Sequence, residues 1–137
     1  MNGVANGVYG GDLPNQINTP WIDFSQQSTI VGWSSTTTRR VFYKVFGKTV
    51  TVFFNITGTS NSATTTIQLP IRASSILVTY LNSCYVTFNS TTGENGLSFI
   101  NTSSDATILS IFRNYTGAAL SNTGNKEVSG SVTYIID

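Results

Sequence analysis

The sequence predicts an all-β fold: an antiparallel β-sandwich of the jelly-roll type, built from about eight to ten short strands. β-Branched and aromatic residues recur in short runs, and polar and apolar side chains alternate within several of them. Clusters of Gly, Asn, Ser and Asp separate the runs at intervals of about 8–12 residues, which is typical of turns. No segment longer than one turn has the period of an amphipathic helix. A β-barrel is the alternative, because sequence alone does not order the strands.

The N-terminal lead differs in composition from the rest of the chain. Residues 1–20 are rich in Gly and Asn and contain Pro14 and Pro20. Such a composition is typical of extended or irregular chain, so we predict an arm or linker here. Residues 21–137 are predicted to form one head domain, since a chain of this length usually forms a single domain.

Ten segments are predicted as strands because each is rich in β-forming residues and is bounded by turn-forming ones. A break is predicted at Asn82 and Ser83, between the sixth and the seventh of them. In chain order the predicted strands are residues 21–24, 29–33, 39–46, 49–57, 64–69, 76–81, 84–89, 97–100, 107–113 and 128–136.

The strongest strand signals lie in the middle of the chain. Residues 39–46 and 49–57 are long β-branched and aromatic runs that meet at Gly47 and Lys48. Residues 64–69 follow after a polar break. Three runs separated by short polar connections are typical of strands joined by tight turns, so they are predicted to form an antiparallel meander.

The strand at residues 49–57 is predicted to have one core face and one wetter face. Its side chains alternate with a period of two, as expected of a sheet that is buried on one side. Phe53 is the apolar exception on the polar face. The predicted core face carries Val50, Val52, Phe54 and Ile56.

The composition argues against several classes of partner. Charged residues make up 9% of the 137 residues and the net charge is +1, so there is no basic stripe for nucleic acid. Ser, Thr and Asn supply 51 residues and provide the polar surface instead. No apolar run reaches the roughly 18 residues of a membrane span, so membrane insertion is not expected.

The residue types also argue against an enzyme. The chain has no histidine and one cysteine, Cys84, which excludes a Ser-His-Asp triad and most zinc or copper sites. We predict a buried, inert thiol, no catalytic residue, no metal and no cofactor. The enzymatic alternative is a polysaccharide depolymerase or esterase with Glu94 and Asp105, or Asp23 and Asp105, as its carboxylates. Glu94 and Asp105 lie in segments of turn composition, where solvated carboxylates are the simpler interpretation.

A set of short motifs runs through the chain after the N-terminal lead. They are Trp21, Ile-Val-Gly-Trp-Ser-Ser at 30–35, Val-Phe-Tyr at 41–43, Gly-Lys-Thr-Val-Thr-Val at 47–52, Gly-Thr-Ser-Asn-Ser at 58–62, Leu-Pro at 69–70 and Val-Ser-Gly-Ser-Val-Thr-Tyr at 128–134. In these motifs the sequence resembles the C-terminal head domains of bacteriophage fibre and receptor-binding proteins.

The resemblance implies a non-enzymatic β-sandwich that forms a homotrimer at a fibre tip or capsid surface of the virion. Its expected partners are the rest of the phage fibre and a bacterial surface receptor, which we expect to be a glycan. Several weak sites on one trimer would reinforce one another. The alternative is a virion decoration or fibre-trimerisation module without a ligand, for which the N-terminal lead would be the tether.

Binding residues are expected in loops, with aromatic rings against the sugar and planar polar groups on its hydroxyls. The first candidates are Arg113, Asn114 and Tyr115, at the start of a long irregular segment. Further candidates are Asn82 and Tyr85, and Trp33 between Gly and Ser. The competing interpretations fold Tyr115 onto the sandwich and place Trp33 in the core or at an interface.

Aromatic residues on exposed strand positions predict the oligomer interface. Phe53 is expected to be exposed, and Phe42 and Phe46 on the adjacent strand could extend it into a patch. The alternative is that a loop of the same chain covers this face.

Overall fold

The computed structural model describes residues 17–87 and 93–137, which form nine strands and no helix. All strand pairs are antiparallel, so the prediction of an all-β antiparallel fold is confirmed. The strands are β1 (Ile22–Asp23), β2 (Ile30–Val31), β3 (Trp33–Phe46), β4 (Thr49–Ser60), β5 (Thr66–Gln68), β6 (Thr79–Thr87), β7 (Glu94–Asn101), β8 (Ile108–Phe112) and β9 (Asn125–Ile135).

The nine strands form one sheet with the order β1-β3-β4-β9-β6-β7-β8-β5-β2. The sheet curls, because a single core cluster takes side chains from β3 and β4 near one end of this order and from β8 and β5 near the other. Gly32 alone separates β2 from β3, so the chain joins the two ends of the order through one residue. The description as a sandwich, and the trimer, remain predictions.

Alternation along β4 builds the centre of the core. Val50, Val52, Phe54 and Ile56 are buried, whereas Phe53 between them is 52% exposed. This agrees with the period-two prediction for residues 49–57. Neighbouring strands bury side chains of the same face, and each large buried side chain contributes about 1.5–3 kcal/mol to folding. The additional core residues from β3, β6 and β9 are Trp33, Val41, Val45, Tyr80, Cys84, Val86, Val128, Val132 and Tyr134.

The predicted meander is wrong in its third strand. β3 and β4 do form a hairpin over Gly47, whose φ of 60° suits glycine in a tight turn. However, β4 pairs with β9 on its other side, and β5 pairs with β8 and β2. After Ser60 the chain crosses to the other half of the curled sheet, a long-range choice that local turn composition does not encode.

The predicted break at Asn82 and Ser83 is also wrong. Both residues lie inside β6, which runs without interruption from Thr79 to Thr87 and pairs with β7 over most of its length. Asn82 and Ser83 are exposed on this strand. Their polar side chains face solvent from a regular ladder, so polarity alone was misread as a turn. The predicted strand end at residues 88–89 lies outside the described residues.

The connection between β1 and β2 is held by Arg39 from β3. Its Nε donates to the Ser25 carbonyl at 2.8 Å, and its Nη2 donates to the Ser28 carbonyl at 2.5 Å. Ser28 in turn donates its hydroxyl to the carbonyl of Gln68, the last residue of β5 near the other end of the order. Arg39 is therefore a structural residue that ties the sheet ends together.

Pairing begins before the predicted domain start. The Gly47 amide donates to the Ile17 carbonyl, and the Thr19 amide donates to the Val45 carbonyl at 3.0 Å. Residues 17–20 therefore run along β3, although the sequence placed them in the arm. The remainder of the predicted arm, residues 1–16, lies outside the described residues.

Candidate functional site

An aromatic surface lies on the outer face of β3 and β4. Phe42 and Phe53 are cross-strand partners, and both point away from the core because Val41 and Phe54 next to them point inward. Trp21, just before β1, packs on Phe53 with a ring-centroid distance of 5.0 Å. Trp21 and Phe53 are nonetheless about half exposed, at 45% and 52%. The rings thus form a stable platform that still presents much of its surface to solvent.

Polar side chains lie directly beside this platform. Arg40 on β3 is opposite Asn55 on β4, and Asn55 is opposite Ser129 on β9. The rings and these three residues line a shallow groove of about 460 Å³, to which Phe54 and Gly130 also contribute. The groove combines one cation, one amide and one hydroxyl with three rings.

Among the described residues, Asn55 is the one whose side chain has a buried polar atom without a hydrogen bond. Its Oδ1 is buried and has no hydrogen-bond partner there. Buried polar atoms are nearly always hydrogen-bonded, and leaving one without a partner costs about 1–3 kcal/mol. Asn55 lines the groove, but its Oδ1 is covered, so a ligand hydroxyl can donate to this acceptor only once the amide turns toward the groove.

This arrangement suits a sugar better than a fully apolar ligand. The rings can pack against the C–H face of a pyranose, while hydroxyl groups donate to Asn55 and accept from Arg40. Binding pockets in general combine apolar walls with a few placed polar groups, which fix the orientation of the ligand.

The structure places the predicted residues Arg113, Asn114 and Tyr115 directly after β8. Arg113 forms an ion pair with Glu94, with 3.0 Å between Nη2 and Oε2. Asn114 Oδ1 accepts hydrogen bonds from the Thr116 amide at 3.0 Å and from the Thr116 hydroxyl at 2.6 Å. Asn114 therefore stabilises its own turn. Tyr115 is 61% exposed, and of the three it is the one best placed to meet a ligand.

Tyr115 also connects two of the predicted binding segments, residues 113–115 and residues 82–85. Its hydroxyl is hydrogen-bonded to the hydroxyl of Ser83 on β6. Leu97 on β7 is a cross-strand partner of Ser83, so the tyrosine reaches across β7.

Asn82 and Tyr85 lie in strand β6 and not in a loop, which corrects the loop assignment. Both side chains are exposed. Because they are three residues apart, they point to opposite faces of the strand. The Tyr85 ring lies against the backbone of Gly93, where a Cβ would come within 2.2 Å of the ring. The ring is thus packed closely on Gly93, and a side chain at position 93 would displace it.

Trp33 is buried at the start of β3 and does not lie in a binding loop. Its indole N–H donates to the Lys126 carbonyl at 3.2 Å, and Lys126 Nζ lies 4.6 Å from the centre of the ring. The same ammonium donates to the Thr65 hydroxyl at 2.9 Å. Burial lowers the pKa of Lys126 to about 8. The core interpretation of Trp33 is the one that the structure supports.

Of the predicted interface residues, Phe42 and Phe53 meet, whereas Phe46 stands apart. Phe46 is 53% exposed at the end of β3, where it pairs with Thr49. Sequence reasoning missed the polar half of the groove. Asn55 follows Phe53 by two residues and so shares the polar face of its strand, which is the one sequence signal that could have indicated it. The other residues that were missed are Trp21 as a ring partner, Arg40 and Ser129.

The carboxylates considered for an enzyme do not come together. Glu94 begins β7 and Asp105 follows its end, so the strand separates them by roughly 23 Å. A glycosidase needs about 5–10 Å between its two carboxyl groups. Hydrogen bonds from Thr107 hold the pKa of Asp105 below its usual value, and those from Ser25 do the same for the pKa of Asp23. This pair is therefore not a catalytic one.

The remaining reactive groups have structural surroundings. Cys84 is buried, and burial raises the pKa of its thiol to about 12, so the nucleophilic thiolate is suppressed. Across residues 17–87 and 93–137, no three His, Cys, Asp or Glu side chains cluster in a way that could hold a metal ion. Nor does this part of the chain contain a helix with the length and hydrophobicity of a membrane span.

Comparison of the chain with protein-family models and with curated proteins finds no match.

Proposed function

We propose that this domain is a non-enzymatic head domain of a bacteriophage fibre, which binds a bacterial surface glycan as a homotrimer. The groove on β3, β4 and β9 is the proposed glycan site. The viral context of the proposal is supported by the resemblance of the motifs between Trp21 and Tyr134 to fibre head domains. Repetition of a weak site on three protomers would raise the avidity for a cell surface.

The observation that carries the binding proposal is the unpartnered Oδ1 of Asn55 beside the Trp21–Phe53 ring pair. A core residue would have its acceptor satisfied, and a purely apolar contact surface would not include one. Arg40 and Ser129 supply donors and acceptors on either side of Asn55 in the same cross-strand row. A polyhydroxylated ring satisfies all three groups while it packs on the aromatic residues.

The test is retention of the purified domain on immobilised capsular, teichoic and lipopolysaccharide preparations from a panel of bacteria. Retention on at least one polysaccharide, with loss of retention for Trp21→Ala, is the expected result. Lack of retention on every preparation, together with failure of the domain to block phage adsorption, contradicts the proposal.

The second candidate is a trimerisation or decoration module without a ligand. It is favoured by the exposed apolar segment before β6, where Ile76, Leu77 and Val78 are 71%, 48% and 60% exposed. Exposed apolar patches of this kind commonly mark interaction surfaces. Deletion of the domain separates the two candidates: an adsorption defect with normal particle assembly favours the glycan-binding head, and the reverse favours the module.

A further inference from the structure

The proposed glycan site is one end of a longer row of side chains on the outer face of the sheet. Cross-strand pairing places Arg40 opposite Asn55, Asn55 opposite Ser129, Ser129 opposite Tyr85 and Tyr85 opposite Asn95. Cross-strand partners point to the same face of a sheet, so these five side chains share the outer face. With about 4.8 Å between strands, the row is roughly 19 Å long.

The far end of the row has its own aromatic cluster. Tyr85 is 48% exposed and is seated on the backbone of Gly93. Tyr115 is 61% exposed and is hydrogen-bonded to Ser83, two residues before Tyr85 on the same strand. Three strand spacings separate Arg40 from Tyr85, which is roughly 14 Å. Ring surfaces therefore flank a polar middle on a single face.

The chemistry of the row selects among possible occupants. Between the ring clusters lie an amide and a hydroxyl, Asn55 and Ser129, and Arg40 is the one charged member of the five. A peptide strand would need the unpaired backbone of a sheet edge, whereas β4, β9 and β6 are each paired on both sides. Cores of protein interfaces favour large apolar contacts, which this polar middle does not offer.

We propose that this face binds a linear oligosaccharide that lies across the strands, with one sugar on the Trp21–Phe53 platform and a later one against Tyr85 and Tyr115. The inference rests on the proposed function and specifies it: the ligand is an extended polysaccharide chain and not a terminal monosaccharide. Asn55 and Ser129, which both line the groove, contact the hydroxyl groups of the intervening sugars, and the amide of Asn55 turns toward the groove to do so.

The experiment is calorimetric titration with size-fractionated oligosaccharides of two, four and eight sugars. They are prepared by partial hydrolysis of the bacterial polysaccharide that retains the domain. The affinity is expected to rise from two to eight sugars. Tyr85→Ala is expected to weaken the octasaccharide about tenfold, the effect of one lost ring contact, and to leave the disaccharide unchanged. The matched control Tyr85→Phe keeps the ring and is expected to retain octasaccharide affinity.

Each other outcome overturns the inference. Equal affinity for two and eight sugars in the wild type shows a single-sugar site and leaves the proposed function standing. Failure of the domain to be retained on any polysaccharide contradicts both the inference and the proposed function. Should Tyr85→Ala lower the melting temperature markedly, Tyr115→Ala, which alters a residue after β8, replaces it with the same expected result. Loss of affinity at all lengths in either variant contradicts a separate second contact.

Discussion

At the scale of the residue, Asn55 separates stability from function. Its side chain stands on the outer face of β4, and its buried Oδ1 lacks a partner among the described residues. The residues on that face include Thr51 and Thr57. A threonine at position 55 would fit the strand and would remove the unsatisfied amide.

We therefore predict that Asn55→Thr does not lower the free energy of unfolding and raises it by up to about 1 kcal/mol, because the unpaired acceptor is removed. Glycan affinity is expected to fall at least about tenfold, the equivalent of one lost polar contact. A thermal melt beside a binding titration checks both. A clear drop in melting temperature would show that the amide stabilises the fold instead.

Lys126 is the second residue with a measurable consequence. Its ammonium is buried against Trp33, and burial lowers the pKa to about 8 from the ordinary value of 10.5. Between these two values the unfolded chain binds more protons than the folded one. Stability must therefore rise with pH in this window and be lowest, for this group, below pH 8.

We predict that the unfolding free energy of the wild type rises by about 1 kcal/mol relative to Lys126→Met between pH 8 and 9. Ionisation of Cys84, whose pKa burial raises to about 12, also changes stability above pH 9, but it is common to both proteins and cancels in the difference. Urea titrations of the two proteins at both pH values give the difference. Parallel pH profiles would show that Lys126 stays fully charged in the fold.

At the scale of the element, Gly32 is the single residue between the end of β2 and the start of β3. Its φ is 119°, which side-chain-bearing residues rarely adopt, and it separates β2 from β3. An added Cβ would lie 2.7 Å from Lys126 Nζ and 2.8 Å from the Thr64 carbonyl oxygen. The change of partner from β5 to β4 therefore requires glycine.

We predict that Gly32→Ala lowers the free energy of unfolding by about 3 kcal/mol, from strain and from close contact with fixed backbone. Gly47→Ala is the matched control: its φ is also positive, at 60°, but the space around it is open. It should cost about 1 kcal/mol. Equal losses in urea denaturation would mean that crowding at Gly32 is not important.

The elements also show what the sequence could and could not predict. Strands and faces were predictable because burial on one side imposes a period of two, as in β4. Partners were not, because pairing β5 with β8 is a choice between distant segments. The groove was half predictable: Phe42 and Phe53 follow from the hairpin register, whereas Trp21 and Ser129 reach it only through β1 and β9.

At the scale of the whole molecule, the proposed trimer and the proposed glycan site need different surfaces. The apolar segment with Ile76, Leu77 and Val78 lies before β6, in a turn that Thr102 holds by donating to the Leu77 carbonyl at 2.8 Å. The groove around Phe53 contains polar groups that a protomer contact would bury without partners.

We predict that Leu77→Ser combined with Val78→Ser dissociates the trimer, whereas Phe53→Ser leaves its mass unchanged. Light scattering on purified proteins measures this, and a thermal melt confirms that each variant folds. A monomeric Phe53→Ser protein with an unchanged melt would instead assign the groove to the protomer contact, as first predicted for Phe42, Phe46 and Phe53.

The central claim, that the outer aromatic groove is a glycan site, is tested most directly by comparing two phenylalanines with equal exposure. Phe53 is 52% exposed within the groove, and Phe46 is 53% exposed outside it. Calorimetric titration of Phe53→Ala and Phe46→Ala uses the polysaccharide that retains the domain. Both variants lose one exposed ring, so a difference in affinity reports the position of the ring and not the loss of apolar surface. We predict loss of binding for Phe53→Ala and wild-type affinity for Phe46→Ala. Equal affinities for the two variants would contradict the assignment of the groove.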